Sequence, residues 1–411
     1  MDLTPPEAPK VMDVIANEGI YPGSIAANDV TNDKTLLIKG ESEANAVIKV
    51  YDGLSLLGTT TADESGNWSY STSTLAHGTH SFSATATDAA GNTSVLADAT
   101  GYVVTVDLQP PASPSINALI DDAGSVVGDV LNGGRTDDIR PRLKGTAEQG
   151  STVTITNAAG EVLGTAVADA VTFISSLTLT AVLPAGANTL YATATDIAGN
   201  TGSKSTAFVV TVDLTAPGTP VIAGVVDDVG PVVGALINNS STNDTMPTFS
   251  GTAEAGSTVL PYYGATLLGT ALVSGTTGTG SWSFTPDQGK ALSQGAHSIT
   301  VKAIDVAGNT GAASSPWLIT VDTTAPTRPA IGNIVDDVPT ATGTITSGST
   351  TNDVRPTISG TGITGEVGGM VTIHDGATVL GTTKVQSDGS WSFTPATDMT
   401  SGAAHDHGDD L

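Results

Sequence analysis

Short runs in which apolar and polar residues alternate fill this chain. "STVTIT" (151–156), "ATLLGTAL" (265–272), "SWSFTP" (281–286), "HSITVKAI" (297–304) and "WLITVD" (317–322) are rich in β-branched and aromatic residues, and Gly, Asp, Asn or Pro bounds them. A period of two over so few residues predicts half-buried strands. No twelve-residue stretch carries an amphipathic helical period. About seven such runs per hundred residues, with turn signals every ~8–12, predict an all-β chain of immunoglobulin-like Greek-key sandwiches.

Landmarks between the runs recur in register. "TDAAGNTS" (87–94), "TDIAGNTG" (195–202) and "AIDVAGNTG" (303–311) place Asp88, Asp196 and Asp305 at intervals of 108 and 109 residues. A period that long matches one small domain rather than a solenoid repeat. "VD" followed by Pro recurs at Asp107, Asp213 and Asp322, and "MDLTPP" with Asp2 fits the same mould, as if a preceding repeat lay upstream. Paired acids follow at Asp121–Asp122, Asp227–Asp228 and Asp336–Asp337, with a lone Asp13 in the first repeat. A second acidic turn recurs at Asp33, Asp138, Asp244 and Asp353. The expected domains are 1–107, 108–213, 214–322 and 323–411, joined as an elongated rod. After Trp391 no further "TDxAGN" or closing "VD" appears, so the fourth is expected to be C-terminally truncated. Trp68, Trp282 and Trp391 occupy matching places, with Phe173 standing in for them in the second repeat, and read as core. So do Tyr102, Phe208 and Trp317 on the last strand.

The 411 residues carry a formal charge of −27, from 41 acidic and 14 basic side chains. Of the acids 32 are Asp and nine Glu. Short carboxylates beside Gly and Asn suit tight turns and hard-cation coordination. Such charge disfavours nucleic acid and anionic membrane surfaces. There is no Cys, so neither disulfides nor thiolate sites staple the domains. No run approaches 18 apolar residues, which argues against membrane insertion, and "MDLTPPEAP" has no signal-peptide pattern. The six His (77, 80, 297, 374, 405 and 407) do not recur with a nucleophile, and no "GxSxG", "HExxH" or phosphate loop appears. The chain is not expected to be an enzyme. His80 and His297 read as solvated strand starts, and His405, Asp406 and His407 as a tail.

Sandwich topology sends the loops to two poles. The "TDxAGN" turns and the loops at Glu148 and Glu254 share one pole; the paired Asp, the second acidic turn and the closing "VD" share the other. In a linear array these poles meet. Asp107 is then expected near Asp196, Asn200 and Glu148, and Asp213 near Asp305, Asn309 and Glu254; Asp2 with Asp88 and Asn92, and Asp322, extend the series. Carboxylates gathered this way repel unless a cation holds them, and oxygen-only ligands fit Ca2+. The paired Asp with the second turn (Asp121, Asp122, Asp138; Asp227, Asp228, Asp244; Asp336, Asp337, Asp353) form a further candidate site within a repeat. Each "DxAGN" by itself also satisfies ordinary turn chemistry.

"VDTTAP", "DDVG", "TNDTMPTFSGTAEAGSTV", "GSWSFTP" and "GAHSITVKAIDVAGNTG" resemble the bacterial Ig-like repeats of giant non-fimbrial and biofilm-associated adhesins of Gram-negative bacteria. The resemblance implies type I secretion, many tandem domains, calcium between them, and an extracellular, cell-surface location. It also implies a stalk whose partners are neighbouring repeats, with host or matrix glycans and proteins met by regions outside this chain. The competing expectation is that the repeats bind glycans or proteins directly, with Tyr262 and Tyr263 as the candidates.

Overall fold

Among the described residues, the strands of the first repeat are β1 (Lys10–Ala16), β2 (Gly23–Ile25), β3 (Val30–Thr31), β4 (Leu36–Glu41), β5 (Val47–Asp52), β6 (Ser55–Thr61), β7 (Asn67–Ser71), β8 (Gly78–Thr87) and β9 (Tyr102–Val106). They form two sheets, ordered β2-β1-β4-β7 and β3-β9-β8-β5-β6. The computed structural model describes residues 2–17, 22–96, 101–169, 173–361, 366–400 and 402, with 173–176 described in backbone alone; the expectation for the Phe173 side chain therefore lies outside what is described. Those for His405, Asp406 and His407 also lie outside the described residues.

The second repeat follows the same plan with β10 (Ser115–Asp121), β11 (Gly128–Val130), β12 (Arg135–Thr136), β13 (Arg142–Thr146), β14 (Thr152–Asn157), β15 (Val162–Val167), β16 (Phe173–Thr178), β17 (Gly186–Thr195) and β18 (Phe208–Val212). Its sheets run β11-β10-β13-β16 and β12-β18-β17-β14-β15. The third supplies β19 (Val221–Asp227), β20 (Gly234–Leu236), β21 (Ser240–Thr242), β22 (Thr248–Glu254), β23 (Thr258–Tyr263), β24 (Thr266–Leu267), β25 (Ala271–Leu272), β26 (Thr279–Phe284), β27 (Gly295–Ile304) and β28 (Trp317–Val321). The fourth supplies β29 (Ala330–Asp336), β30 (Gly343–Thr344), β31 (Thr357–Thr361), β32 (Met370–Asp375), β33 (Thr378–Lys384) and β34 (Trp391–Phe393). Its sheets are β30-β29-β31-β34 and the hairpin β32-β33.

Contacts divide the chain into two compact units, and the division runs through the third repeat. One unit holds residues 1–240, 246–292 and 296–319; the other holds 241–245, 293–295 and 320–411.

Alternation decides what is buried. Along β27 the pattern places His297, Ile299, Val301 and Ala303 inside, with neighbours on the other face. Val14, Ile38, Ile48, Trp68 and Phe82 meet in the first core; Leu119, Leu143, Ile155, Leu177 and Phe208 meet in the second. A smaller cluster of Ile358, Val371, Ile373, Val385 and Trp391 forms the fourth. Each repeat bends its first strand at one bulge: Val11/Asp13, Ile116/Ala118, Ile222/Gly224 and Ile331/Asn333. Trp68, Trp282 and Trp391 are each 3% exposed, and each pairs across its sheet with Gly40, Gly251 or Gly360. A Cβ on any of these glycines would overlap the indole and a carbonyl oxygen of the first strand (Lys10, Val221 or Ala330). The tryptophans are core residues made possible by a facing glycine.

Candidate functional site at the repeat junctions

The "DxAGN" sequence folds into one compact turn after each long strand. In the second repeat Asp196 Oδ1 accepts the amides of Gly199 and Asn200, both at 2.8 Å, while Asp196 N–H donates to Asn200 O at 3.0 Å. In the third, Asp305 Oδ1 accepts from Ala307, Gly308 and Asn309 at 2.8–3.0 Å. Gly199 and Gly308 have φ of +101° and +106°, which a side chain would strain. Thr195 pairs with Thr201, and Ile304 with Thr310, to close the loop. A buried serine behind each turn was not read from the sequence. Ser94, Ser205 and Ser314 accept an amide from the long strand (Ala86, Ala192, Val301) and donate to the next carbonyl, a role carried by hydroxyls that look like linker composition.

Asparagine completes the turn for a reason of donor count. Its amide offers two N–H groups. Asn200 Nδ2 gives one to Asp196 Oδ2 at 2.9 Å and the other to Asp107 O of the preceding repeat, also at 2.9 Å. Asn309 Nδ2 does the same with Asp305 Oδ2 and Asp213 O, at 2.9 Å each. A second bond returns across each junction: Asn32 N–H donates to Ala198 O (3.1 Å) and Asp137 N–H to Ala307 O (3.0 Å). Ala198 and Ala307 are 2% and 1% exposed under this cover, whereas Ala90 in the first repeat's turn is exposed. Asn92 Nδ2 contacts Asp2 O at 3.3 Å, so the segment at Asp2 lies on the first turn as the closing strands lie on the later ones.

The acidic side chains sort by their partners. Asp107 Oδ1, Asp213 Oδ1 and Asp322 Oδ1 cap the amide two residues on, as Asp2 Oδ1 does for Thr4. His77 Nδ1 stands 3.3 Å from Asp107 Oδ1, and Arg135 reaches Asp213 Oδ2 at 3.0 Å. The paired acids do not act as pairs. On an extended strand neighbours face opposite ways. Asp121, Asp227 and Asp336 are therefore buried, whereas Asp122, Asp228 and Asp337 are exposed. Asp121 Oδ2 takes the Thr136 hydroxyl at 2.6 Å, Asp336 Oδ2 that of Thr351, and Asp227 Oδ1 caps Val229. The acid of the next turn is buried too: Asp33, Asp138, Asp244 and Asp353 are 2–6% exposed. Asp33 Oδ2 accepts Asn17 N–H at 2.7 Å, and Asp353 Oδ2 faces Asp337 N–H at 3.3 Å. Glu148 and Glu254 are exposed; their backbone oxygens, each bonded to a serine three residues on, make their local contacts. Asp88 is held below the usual carboxylate range, first by the Asn92 side chain and then by turn amides that outweigh its desolvation.

Among the described residues no three His, Asp or Glu are gathered closely enough to hold a metal unaided. At the first junction N–H donors serve Asp196, Asp33 and Asp107. The second junction differs. Asp137 Oδ1 and Asp138 Oδ2 are buried there without a hydrogen-bond partner. Burial, then Asp121, with smaller effects of Asp305 and Asp138, pushes the Asp137 carboxyl up. An oxygen-only set of carboxylates and turn carbonyls with unmet demand for positive charge fits a hard cation such as calcium.

Two expectations are corrected by burial. His80 and His297 are 8% and 3% exposed rather than solvated. His80 lies between Asp52 Oδ2 (2.6 Å from Nδ1) and Ala76 O (2.9 Å from Nε2), and His297 packs edge-on to Tyr263 with centroids 4.5 Å apart. Tyr263 is itself 39% exposed, and Tyr262 is half-buried beside Lys302.

The profile of the bacterial Ig-like domain matches residues 12–108, 113–214, 229–323 and 329–405. The chain belongs to the bacterial Ig-like domain family. Such repeats are typically non-enzymatic structural modules. A comparison with curated protein sequences finds no match. Among solved structures, fibronectin(III)-like modules of Clostridium thermocellum CbhA are similar at 15% identity and TM-score 0.29, over 46% of this chain and 90% of that one. A structure from a 1.5-MDa bacterial ice-binding adhesin is similar at 17% identity and TM-score 0.28, over 78% and 100%. The BSP domain of a biofilm-associated protein is similar at 14% and 0.19, over 79% and 68%. At such TM-scores these likenesses bear on neither function nor partners. No helix among the described residues is long and apolar enough to cross a membrane.

Proposed function

We propose that these Ig-like repeats are a stretch of the stalk of a cell-surface adhesin, exported by type I secretion. Calcium at the junctions stiffens the stalk, which holds an adhesive region away from the cell and so supports adhesion or biofilm formation. One observation carries the reading: the same two-bond clamp, Asn side chain to a closing-strand carbonyl and turn amide to an alanine carbonyl, recurs at two successive junctions. A contact needed only to fill space has no reason to recur in its donors and acceptors. Two hydrogen bonds contribute only about 1–3 kcal/mol together. A bound ion adds stability by mass action, about 2.7 kcal/mol at a hundred times its Kd.

Small-angle scattering of the chain with calcium and with chelator tests this. We expect chelation to change the maximum dimension while far-UV circular dichroism keeps its β signature. A maximum dimension unaltered by chelator overturns the calcium-stiffened stalk.

A further inference from the structure

The two junctions share a clamp, and one of the positions at which they differ lies in the clamp itself. Asn32 occupies the turn position at the first, and Asp137 occupies it at the second. The backbones do the same work, each amide donating to the alanine carbonyl opposite. The side chains do not. A carbon built on Gly308 of the third repeat would lie 3.1 Å from Asp137 Oδ2 and 3.2 Å from Oδ1, so both oxygens press against the next repeat's turn. Ser125 N–H donates to Gly308's own carbonyl across this junction at a long 3.4 Å. Asp137 Oδ1 is buried and unpartnered.

Beside it Asp138, 6% exposed, spends Oδ1 on Arg140 N–H at 2.7 Å and leaves Oδ2 buried without a partner. At the first junction the matching Asp33 has its second oxygen occupied by Asn17 N–H. Arg135, two residues before Asp137, is engaged with Asp213. A buried carboxylate oxygen left without a donor is costly, more so when charged, so the second junction holds an unmet demand for positive charge that the first lacks.

We propose that Asp137 is an added calcium ligand that makes the second-to-third junction the tighter of these two cation sites. This deepens the stalk reading and rests on calcium binding at the junctions. Asp137 and Asp138 supply carboxylate oxygens, and turn carbonyls and water complete the shell. Calcium affinity follows the number of charged ligands, so replacing a neutral amide by a carboxylate strengthens a site. The consequence is a graded stalk: as calcium rises, the junction between repeats two and three locks before that between one and two.

Calcium titration of the full chain followed by amide NMR resolves the junctions, because Gly199 and Gly308 are matching reporters. In the wild type we expect Gly308 to reach half-saturation at about tenfold lower calcium than Gly199, roughly the effect of 1.4 kcal/mol. Asp137→Asn should bring the two midpoints together, and Asn32→Asp should lower that of Gly199 toward Gly308. Each substitution installs the residue the other junction already carries, so both variants should fold. If both glycines respond with one midpoint in the wild type, or Asp137→Asn leaves Gly308 unmoved, the Asp137 proposal is wrong while junctional calcium stands. If neither amide responds, both fall.

Discussion

Asn92 and Asp88 let the turn be studied where its alanine, Ala90, is exposed, unlike Ala198 and Ala307. Asn92 Nδ2 donates to Asp88 Oδ2 at 2.8 Å, and the Asp88 carboxyl is held below its ordinary value with that bond as the largest cause. A carboxyl whose folded pKa is depressed contributes stability above its unfolded pKa, and this is lost as pH falls through the folded value. The window therefore lies below about pH 4. Asn92→Ala should raise the Asp88 titration midpoint toward that of a free Asp, read by carboxyl NMR, with no change above pH 5 in the turn's remaining amide bonds. A midpoint that stays depressed would mean that the turn amides, not asparagine, do the holding.

The glycine facing each tryptophan is a sheet position that tolerates little change. A methyl at Gly40 or Gly251 meets a backbone oxygen and an indole at once, and neither can withdraw without breaking the pairing. Gly40→Ala and Gly251→Ala should each cost about 1–3 kcal/mol, as overpacking does, measured by denaturant unfolding of the chain. Gly23→Ala, at a positive-φ strand start with open space around it, is the control for backbone strain alone. Strands of this kind were legible because alternation is a local property: β14, β26, β27 and β28 lie where their runs were read. The "DxAGN" turns were legible as repeated chemistry, and their asparagines as candidates. Partner-dependent features were not. Asp121 and Asp122 look like one ligand pair in a string of letters, yet the pleat sends one inward and one out. His80 reads as a polar strand start because Asp52, which receives it, is 28 residues away. Asp137 reads as a variant of the acidic turn until Gly308, 171 positions on, is placed against it.

At the scale of the whole chain the charge of −27 offers calcium a second way to act, and the two must be separated. Diffuse screening weakens repulsion among all the acids and depends on ionic strength: the Debye length is about 8 Å at 0.15 M salt and shrinks toward 3 Å at 1 M. Coordination instead saturates, at about 0.1–1 mM calcium for extracellular modules, and depends on the ion's size and charge. Most of the 32 aspartates are exposed or serve amides of their own turns, so a screening response would be spread over every repeat. A coordinated response would be confined to the clamps, where the Asn200 and Asn309 side chains cross. The chain in about 0.15 M NaCl with about 1 mM calcium should then show a change in maximum dimension that about 1 M NaCl without calcium does not reproduce. Magnesium should not reproduce it either, since that ion holds its water and demands a tighter octahedron. If sodium chloride alone brings about the same change, the carboxylates act as a charge cloud and the junctions are stiffened by no particular ion.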